Sequence, residues 1–310
     1  MSATMLESVH IQNFKGFRDT RIDGFCPVNL VIGGQNVGKT SLLEAVLFAF
    51  REKVSADFRS QDEGDAQRLI GAVCGRARYL LQASANGRDY GIAARGTAEG
   101  RFTAIRQVAK GHTASAILYP SGEKPPICLG LPLFLPFQSR FVDLWGQVVF
   151  GRKKQALLGL LRSIEPRLIS LDAIAPDGEQ RLYAELDGVP QALPLSHLGH
   201  GFSRLVHLFS ELLVSDASLA LIDEIENSIH YSALPTLFQG VRAVAQERQV
   251  QTLMTTHSWD ALRAASEVFA DTPELFQVIR LERTADDNVE AVRIDVPRLQ
   301  RLIDQDREVR

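Results

Sequence analysis

The chain has 310 residues, 45% hydrophobic and 23% charged, an ordinary composition for a globular protein of one large domain or two. Its formal net charge of −3 argues against a globally basic nucleic-acid binder, and its scattered cysteines, Cys26, Cys74 and Cys128, argue against a disulfide framework or a metal site. Because the sequence shows no signal-peptide pattern and no apolar run of membrane length, we expect a cytoplasmic protein without membrane contact.

The first predicted strand–loop–helix unit carries a complete P-loop. Residues 33–40 read Gly-Gly-Gln-Asn-Val-Gly-Lys-Thr, follow a predicted apolar strand at 28–32 and open a helix with an apolar face. In this context the glycines let backbone N–H groups form a phosphate nest at the helix N-terminus. We expect Lys39 to reach the β- and γ-phosphates and the hydroxyl of Thr40 to ligate Mg²⁺. The predicted nucleotide-binding residues here are Gly33, Gly34, Gln35, Asn36, Val37, Gly38, Lys39, Thr40 and Ser41.

The next segment predicts antiparallel strands followed by helices. Residues 78–107 alternate imperfectly between apolar and polar, and the hairpin dipeptide Asn86-Gly87 lies between two such runs. Residues 139–165 read as helical. A strand pair is predicted at Leu168–Ile174 and Arg181–Leu186, around the turn residues 176–178.

A pair of glycines stands at the start of a later predicted helix. Residues 198–204 read Leu-Gly-His-Gly-Phe-Ser-Arg and open an apolar helical pattern. Free N–H groups and the positive end of the helix dipole suit a phosphate, so Gly199 and Gly201 are candidate phosphate contacts. Their position just upstream of an apolar strand that ends in two acids strengthens this hypothesis.

Two further predicted strands deliver polar residues at their carboxyl ends. The run 218–222 ends in Asp223 and Glu224, a Walker B arrangement in which Asp223 would hold Mg²⁺ and Glu224 would polarise the attacking water. The run 250–256 ends in His257, which we expect to hydrogen-bond the γ-phosphate. The predicted catalytic residues are Glu224, His257 and Lys39, and the predicted metal ligands are Thr40 and Asp223.

These motifs, in this order, resemble the ABC-type ATPase heads of the SMC, RecF and OLD families, and they are most similar to the OLD-like ATPases called AAA-15 or AAA-21. Residues 6–17 look like that family's first strand, and residues 223–230 look like its Walker B and D-loop. The resemblance implies an α/β fold: an ABC-type P-loop head with a mixed sheet and an inserted lobe of antiparallel strands and helices. We expect one bipartite head over residues 1–310. Its core would occupy 1–57 and 195–310, and its lobe 58–194.

The resemblance also implies a head-to-tail homodimer, or a higher oligomer, with ATP and Mg²⁺ between the subunits. The P-loop, the Walker B acids and His257 of one chain would hold each ATP, and the glycine loop Gly199–Gly201 of the other chain would contact it. Because Gly199 stands where many such heads have serine, that contact would come from backbone N–H groups or a neighbour such as Ser203. Gln138 is the candidate for the Q-loop glutamine.

The residues after His257 predict a helix at 260–267 and a strand pair at 276–282 and 289–294. They are too few for the TOPRIM nuclease domain that many OLD proteins carry, so we expect that the chain is not itself a nuclease. The resemblance implies a Mg-dependent ATP-hydrolysing switch that controls a separate protein effector, as in two-gene anti-phage systems. The alternative is a RecF- or SMC-like ATP-gated DNA-binding clamp in repair or recombination.

Two basic groupings bear on whether DNA is a partner. One is the run Arg152-Lys153-Lys154. The other comprises Arg88, Arg95, Arg101, Arg106 and Lys110. Either grouping is a solvated surface or a track for the phosphate backbone, and the second interpretation predicts DNA affinity that falls steeply with salt.

Overall fold

The computed structural model describes residues 5–50, 90–97, 101–109, 112–118, 128–131 and 138–305. Within these residues the chain forms three β-sheets and seven α-helices. The strands are β1 Met5–Phe14, β2 Phe17–Asp23, β3 Val28–Gly33, β4 Tyr90–Thr97, β5 Arg101–Ala109, β6 His112–Leu118, β7 Cys128–Leu131, β8 Leu168–Ile174, β9 Arg181–Leu186, β10 Leu193–Pro194, β11 Leu219–Ile222, β12 Gln251–Thr255, β13 Phe276–Arg283 and β14 Val289–Asp295. The α-helices are α1 Lys39–Phe50, α2 Gln138–Phe150, α3 Lys154–Arg162, α4 His200–Val214, α5 Leu234–Glu247, α6 Trp259–Val268 and α7 Val296–Asp304.

The main sheet has the strand order β14-β13-β3-β12-β11-β7. Strands β13, β3, β12, β11 and β7 run parallel, and β14 pairs antiparallel with β13. The carboxyl ends of β3, β12 and β11 therefore meet at one edge of the sheet, where open α/β sheets place their ligands. This mixed sheet confirms the predicted fold class and brings the P-loop, His257 and the two acids after β11 to the same edge.

Both faces of the main sheet are buried, as is usual for parallel strands with near-continuous apolar sequences. Along β3, Leu30 and Ile32 belong to the core shared with helices α4, α5 and α6. Val31 belongs to a second core on the opposite face, shared with α1 and with β1 and β2. Because β3 is fixed from both sides, the loop that follows it starts from a rigid strand end.

The second sheet has the order β2-β1-β4-β5-β6, and all of its strand pairs are antiparallel. The antiparallel prediction for residues 78–107 is confirmed for β4 and β5, whereas Asn86 and Gly87 lie outside the described residues. In this sheet β4 pairs with β1, and β7 belongs to the main sheet. The residues assigned to an inserted lobe therefore share both sheets with the core, and the domain boundaries at 57 and 195 stay a prediction.

The predicted helical region and the strand pair after it are both present. Helices α2 and α3 are separated at Arg152, whose φ of 56° lies in the left-handed region and breaks the helical path. Strands β8 and β9 pair antiparallel, and β10 joins them as a third strand. Leu157 and Leu161 of α3 and Leu171 of β8 join the core on the α4 side of the main sheet.

The C-terminal elements follow the prediction and add one helix. Strands β13 and β14 and helix α6 form where they were predicted. Helix α7 was not predicted, although its start signals are in the sequence: Pro297 lies in its first turn, and Asp295 accepts a hydrogen bond from the N–H of Arg298 at 2.8 Å. Across the part of the chain that the structure describes, no helix is both long and apolar enough to cross a membrane.

Candidate ATP site

The P-loop folds around the ammonium of its own lysine. Lys39 is only 5% exposed, and its Nζ donates to the carbonyl oxygens of Gly33 at 2.7 Å and Gly34 at 2.9 Å. Position 33 requires glycine, because its φ is 146° and an added Cβ would lie 2.5 Å from the carbonyl oxygen of Leu281. The loop thus holds a buried cation beside the N-terminus of α1.

The charged groups near Lys39 are carboxylates in the segment that follows β11. Burial lowers the pKa of the Lys39 ammonium below its ordinary value of 10.5, because desolvation disfavours the charged form. The carboxylates of Asp223, Glu224 and Glu226 offset part of this shift. The cation and the three acids therefore form one charge cluster at the edge of the sheet.

The predicted metal ligands are in direct contact. The hydroxyl of Thr40 donates to Asp223 Oδ2 at 2.9 Å, and the hydroxyl of Thr255 donates to Asp223 Oδ1 at 2.5 Å. Mg²⁺ prefers oxygen ligands and usually takes one or two carboxylates together with waters and substrate phosphates. A hydroxyl and a carboxylate in contact at an accessible sheet edge fit such an ion. Among the described residues no group of three or more His, Cys, Asp or Glu side chains could hold a metal by itself.

Glu224 adopts an unusual backbone conformation immediately after β11. Its φ is 46°, in the left-handed region that costs a non-glycine residue about 1–2 kcal/mol. Hydrogen bonds hold it there: its N–H donates to Thr255 Oγ1 at 2.8 Å, and its carbonyl oxygen accepts from Arg204 Nη2 at 2.7 Å. Such conformations persist only where the surroundings fix them, and they cluster at active sites.

His257 follows β12 and lies beside Glu224. Its Nε2 is 3.9 Å from Glu224 Oε1, its side chain is 49% exposed, and its backbone N–H donates to Glu226 Oε1 at 2.8 Å. Within the described residues, Glu226 Oε2 is buried and has no hydrogen-bond partner. The side chain of Glu226 therefore holds the loop that carries His257, while the His257 ring remains accessible.

The glycine loop before α4 has one open position and one tightly packed position. Gly199 has a φ of 90°, and a Cβ built there would meet no atom within 4 Å. A Cβ on Gly201 would lie 2.3 Å from the carbonyl oxygen of Ser228. Ser203, predicted as an alternative phosphate contact, is buried and donates to the carbonyl oxygen of Gly199 at 3.1 Å. Its hydroxyl therefore points into the chain, and the N–H of Gly199 donates to the carbonyl oxygen of Ser196 at 3.2 Å.

The P-loop and the glycine loop line different cavities. An open cavity of about 620 Å³ is lined by Gly33, Gly34, Gln35, Thr256 and His257, with Ile32 and Leu262. This volume lies within the range of small-molecule sites. A second open cavity of about 720 Å³ contains the glycine loop and the segment 228–233 in its lining. Among the residues that the structure describes, the two linings have none in common.

The structure brings together Lys39, Thr40, Asp223, Glu224 and His257, and it leaves Gly199 and Gly201 in a separate cavity. Gln138 is the first residue of α2, and only its backbone is described. Sequence reasoning missed four side chains that contact this site. They are Thr255, Arg204, Glu226 and Arg283, the last of which donates to the carbonyl oxygen of Asn36 at 3.4 Å. Thr255 and Arg204 lie next to predicted motifs, so a search of motif neighbours would have found them.

Two family models match separate parts of the chain. Residues 5–77 match a model described as an AAA ATPase domain, AAA_15. Residues 139–264 match a model described as an AAA domain, putative AbiEii toxin, type IV TA system, AAA_21. The first segment contains the P-loop, and the second contains the glycine loop, both Walker B acids and His257.

Similar proteins agree with these matches. The chain is 24% identical to an ATP/GTP phosphatase from Helicobacter pylori over 340 aligned residues, which cover 88% of this chain and 92% of the relative. It is 31% identical over 99 residues to a DNA double-strand break repair Rad50 ATPase from Archaeoglobus fulgidus, covering 32% of this chain and 10% of that protein. The solved SMC head bound to the C-winged helix domain of ScpA aligns with a TM-score of 0.59 at 14% identity, covering 96% of this chain and 99% of that one. The chain therefore has the fold of an SMC head and is an ATPase.

Proposed function

We propose that this chain is a Mg²⁺-dependent ATP-hydrolysing switch, in which a homodimer that sandwiches ATP controls a separate effector protein. In this proposal ATP binding closes the dimer and hydrolysis opens it, a population shift driven by contacts to the γ-phosphate. In such a dimer two chains would share each ATP site: one chain would supply the P-loop and the other would supply the glycine loop Gly199–Gly201.

The observation that carries this proposal is the separation of the two phosphate-binding loops. The P-loop lines one cavity and the glycine loop Gly199–Gly201 lines another, and the two linings have no described residue in common. A glycine loop at a helix N-terminus offers N–H groups to an anion. Because Gly199 lies at a cavity of its own and no described atom comes within 4 Å of a Cβ added there, we place the phosphate partner of this loop on a second chain. The ATP-sandwiched dimer follows from that placement.

The side chains at the sheet edge divide the chemistry among themselves. Lys39 binds the β- and γ-phosphates, and its burial strengthens that interaction because the local dielectric is low. Glu224 acts as the base that orients and polarises the attacking water. His257 donates a hydrogen bond to the γ-phosphate. The accessible ring of His257 and the 3.9 Å between its Nε2 and Glu224 Oε1 are in keeping with this role.

Thr40 and Asp223 would hold Mg²⁺. Their mutual hydrogen bond at 2.9 Å is exposed, so both oxygens are open to an ion, and the remaining ligands would be waters and phosphate oxygens. The ion would supply charge neutralisation at the β- and γ-phosphates. Thr255 keeps the Asp223 carboxylate oriented through its hydrogen bond at 2.5 Å.

The effector is proposed to be a separate protein, in a system that defends against phage. The match of residues 139–264 to a model described as a putative AbiEii toxin of a type IV TA system supports a two-component setting. The similar SMC head is bound to a domain of another protein, which supports a head that acts through a partner. Cleavage of DNA by the purified chain alone would contradict this role.

The test is Glu224→Gln, which keeps the size of the side chain and removes the base. We expect ATP binding to persist, turnover to fall by about 10²- to 10⁴-fold, and an ATP-bound dimer to accumulate. Phosphate release measures turnover, and light scattering with and without ATP measures the mass. The matched control is Glu290→Gln, an exposed carboxylate on β14. Native turnover in Glu224→Gln would show that another group is the base.

A DNA-binding clamp is the second candidate, because one basic surface is available. Arg152 is exposed, and within the described residues neither it nor Lys153 has an ion-pair partner, whereas Lys154 pairs with Asp172 at 2.6 Å. We would measure ATP turnover with and without duplex DNA at two salt concentrations. Salt-sensitive stimulation that is lost on charge reversal of these three residues would favour the clamp. A rate indifferent to DNA would favour the protein switch.

A further inference from the structure

The helix that follows the glycine loop contacts the catalytic strand end of the same chain. Arg204 is the fifth residue of α4 and is only 8% exposed. Its Nη2 donates to the carbonyl oxygens of Asp223 at 3.1 Å and Glu224 at 2.7 Å. A single guanidinium therefore holds the two consecutive peptide groups that carry the metal ligand and the base.

A second contact joins the same two segments. Gly201 lies one helical turn before Arg204, and its Cα packs so closely on Ser228 that an added Cβ would be 2.3 Å from the Ser228 carbonyl oxygen. Ser228 has a φ of 62° and follows Glu224 by one tight turn, closed by a hydrogen bond from the N–H of Asn227 to the Glu224 carbonyl oxygen at 2.9 Å. The N-terminus of α4 thus touches both ends of the segment 223–228.

The charge of Arg204 is suited to this position. Burial lowers the pKa of its guanidinium, and the carboxylates of Glu226, Glu224 and Asp223 offset part of that shift. A buried cation without such partners would be costly. Arg204 is one of two donors to the carbonyl oxygen of Glu224, the other being the N–H of Asn227, and it helps to hold a residue whose φ of 46° is unfavourable by itself.

We propose that Arg204 is a positioning residue that couples the glycine loop of a chain to the base Glu224 of that same chain. When a nucleotide on the partner contacts Gly199–Gly201, α4 would shift, and Arg204 and Gly201 would carry that shift to the segment 223–228. Each chain would then hydrolyse its own ATP efficiently only while its glycine loop is engaged by the partner's ATP. The inference rests on the proposed dimer and on Glu224 as the base.

A heterodimer with one active site separates this role from a direct phosphate contact. One chain carries Glu224→Gln and binds ATP without turning it over, and the other chain keeps Glu224 and hydrolyses. The active site then combines the P-loop and Glu224 of the hydrolysing chain with the glycine loop of the silent chain. We would place Arg204→Met first in the hydrolysing chain and then in the silent chain, purify each pair by two different tags, and measure ATP turnover and ATP affinity.

A cis coupling predicts a loss of turnover of about 10- to 100-fold only when Arg204→Met lies in the hydrolysing chain, with ATP affinity unchanged. Loss only with the substitution in the silent chain would overturn the inference and assign Arg204 to the trans phosphate contact. Equal loss of turnover in both placements would show that Arg204 has only a packing role. No loss in either placement would show that Arg204 has no role in turnover, and either result would overturn the inference. Both heterodimers contain the same substitutions, so a folding or assembly defect of the whole dimer would lower turnover equally in both placements.

The conservative variant Arg204→Lys and the homodimer with Glu224→Gln in both chains complete the test. Arg204→Lys in the hydrolysing chain keeps a cation and more than one donor, so it should restore part of the turnover that Arg204→Met loses. No recovery at all would contradict hydrogen bonding to the two carbonyls as the mechanism. If the homodimer with Glu224→Gln in both chains hydrolysed ATP at the native rate, the proposed function itself would fail, and this inference would fall with it.

Discussion

The P-loop and the glycine loop before α4 both present backbone N–H groups at a helix N-terminus, yet their surroundings differ. The P-loop makes its contacts within its own chain. Lys39 donates to the carbonyl oxygens of Gly33 and Gly34, and Gly33 packs against the neighbouring strand β13. The glycine loop is open at Gly199, where a Cβ would meet nothing within 4 Å. One loop has its contacts within the chain, and the other leaves open space at Gly199. In the proposed dimer, that open space is where the nucleotide of the second chain would bind.

The largest expected effect comes from breaking the closed loop. Lys39→Ala removes the buried cation and leaves the carbonyl oxygens of Gly33 and Gly34 without that donor. We expect ATP affinity to fall by at least about 100-fold, since a desolvated cation near phosphate is worth several kcal/mol. Titration calorimetry with ATP measures it. The control is Lys154→Ala, which removes a lysine paired with Asp172 of β8, and an equal loss there would contradict the role of Lys39.

An intermediate effect is expected at the packed position of the open loop. Gly201→Ala places a Cβ 2.3 Å from the Ser228 carbonyl oxygen, so the backbone of α4 or of the segment 223–228 must move. We expect destabilisation of about 1–3 kcal/mol, as for other overpacked sites, together with a marked loss of turnover. Denaturant unfolding and phosphate release measure the two effects.

The control for that experiment is Gly159→Ala. Gly159 lies within α3, and its Cβ would meet nothing within 4 Å. Alanine favours a helix over glycine by about 1 kcal/mol, so this variant should be equally or more stable and should keep its turnover. If both glycine variants behaved alike, the contact between Gly201 and Ser228 would have no special role.

The smallest expected effect is a pH dependence that belongs to Lys39. The pKa of Lys39 in the folded chain lies below 10.5, so between the folded pKa and 10.5 the unfolded chain binds more protons than the folded chain. The free energy of unfolding of the native chain therefore increases as the pH rises through that window. Lys39→Met lacks this titration. Unfolding of both chains in denaturant should therefore show the native chain gaining relative to the variant as the pH rises toward 10.5. A difference that stays constant with pH would contradict the lowered pKa.

The sequence sufficed for features whose chemistry lies in consecutive residues. The P-loop is recognisable because Gly33, Gly38, Lys39 and Thr40 must stand at fixed spacing between a strand and a helix. The acids after β11 and His257 after β12 were predicted because a run of apolar residues ends in a polar side chain. Their convergence at one edge followed from the geometry of parallel strands.

The contacts that hold the site could not be predicted, because they join elements that are distant in sequence. Arg204 and Glu224 are neighbours only through the packing of α4 on the main sheet, and Arg283 reaches Asn36 only because β13 lies beside β3. Ser203 was one of two alternatives for the phosphate contact, beside backbone N–H groups, but helix α4 turns its hydroxyl inward, toward the carbonyl oxygen of Gly199. The order of the strands and the rotation of a helix about its axis decide these cases.

The position of β3 in the main sheet has a consequence for synthesis on the ribosome. Strand β3 leaves the ribosome early, but its two neighbours, β12 and β13, are made only after residue 250. Folding that depends on contacts so distant in sequence is slow and must wait for the late segments. A nascent chain would therefore carry the P-loop sequence without the sheet that supports it until β12 and β13 have been made, and nucleotide capture would begin only then.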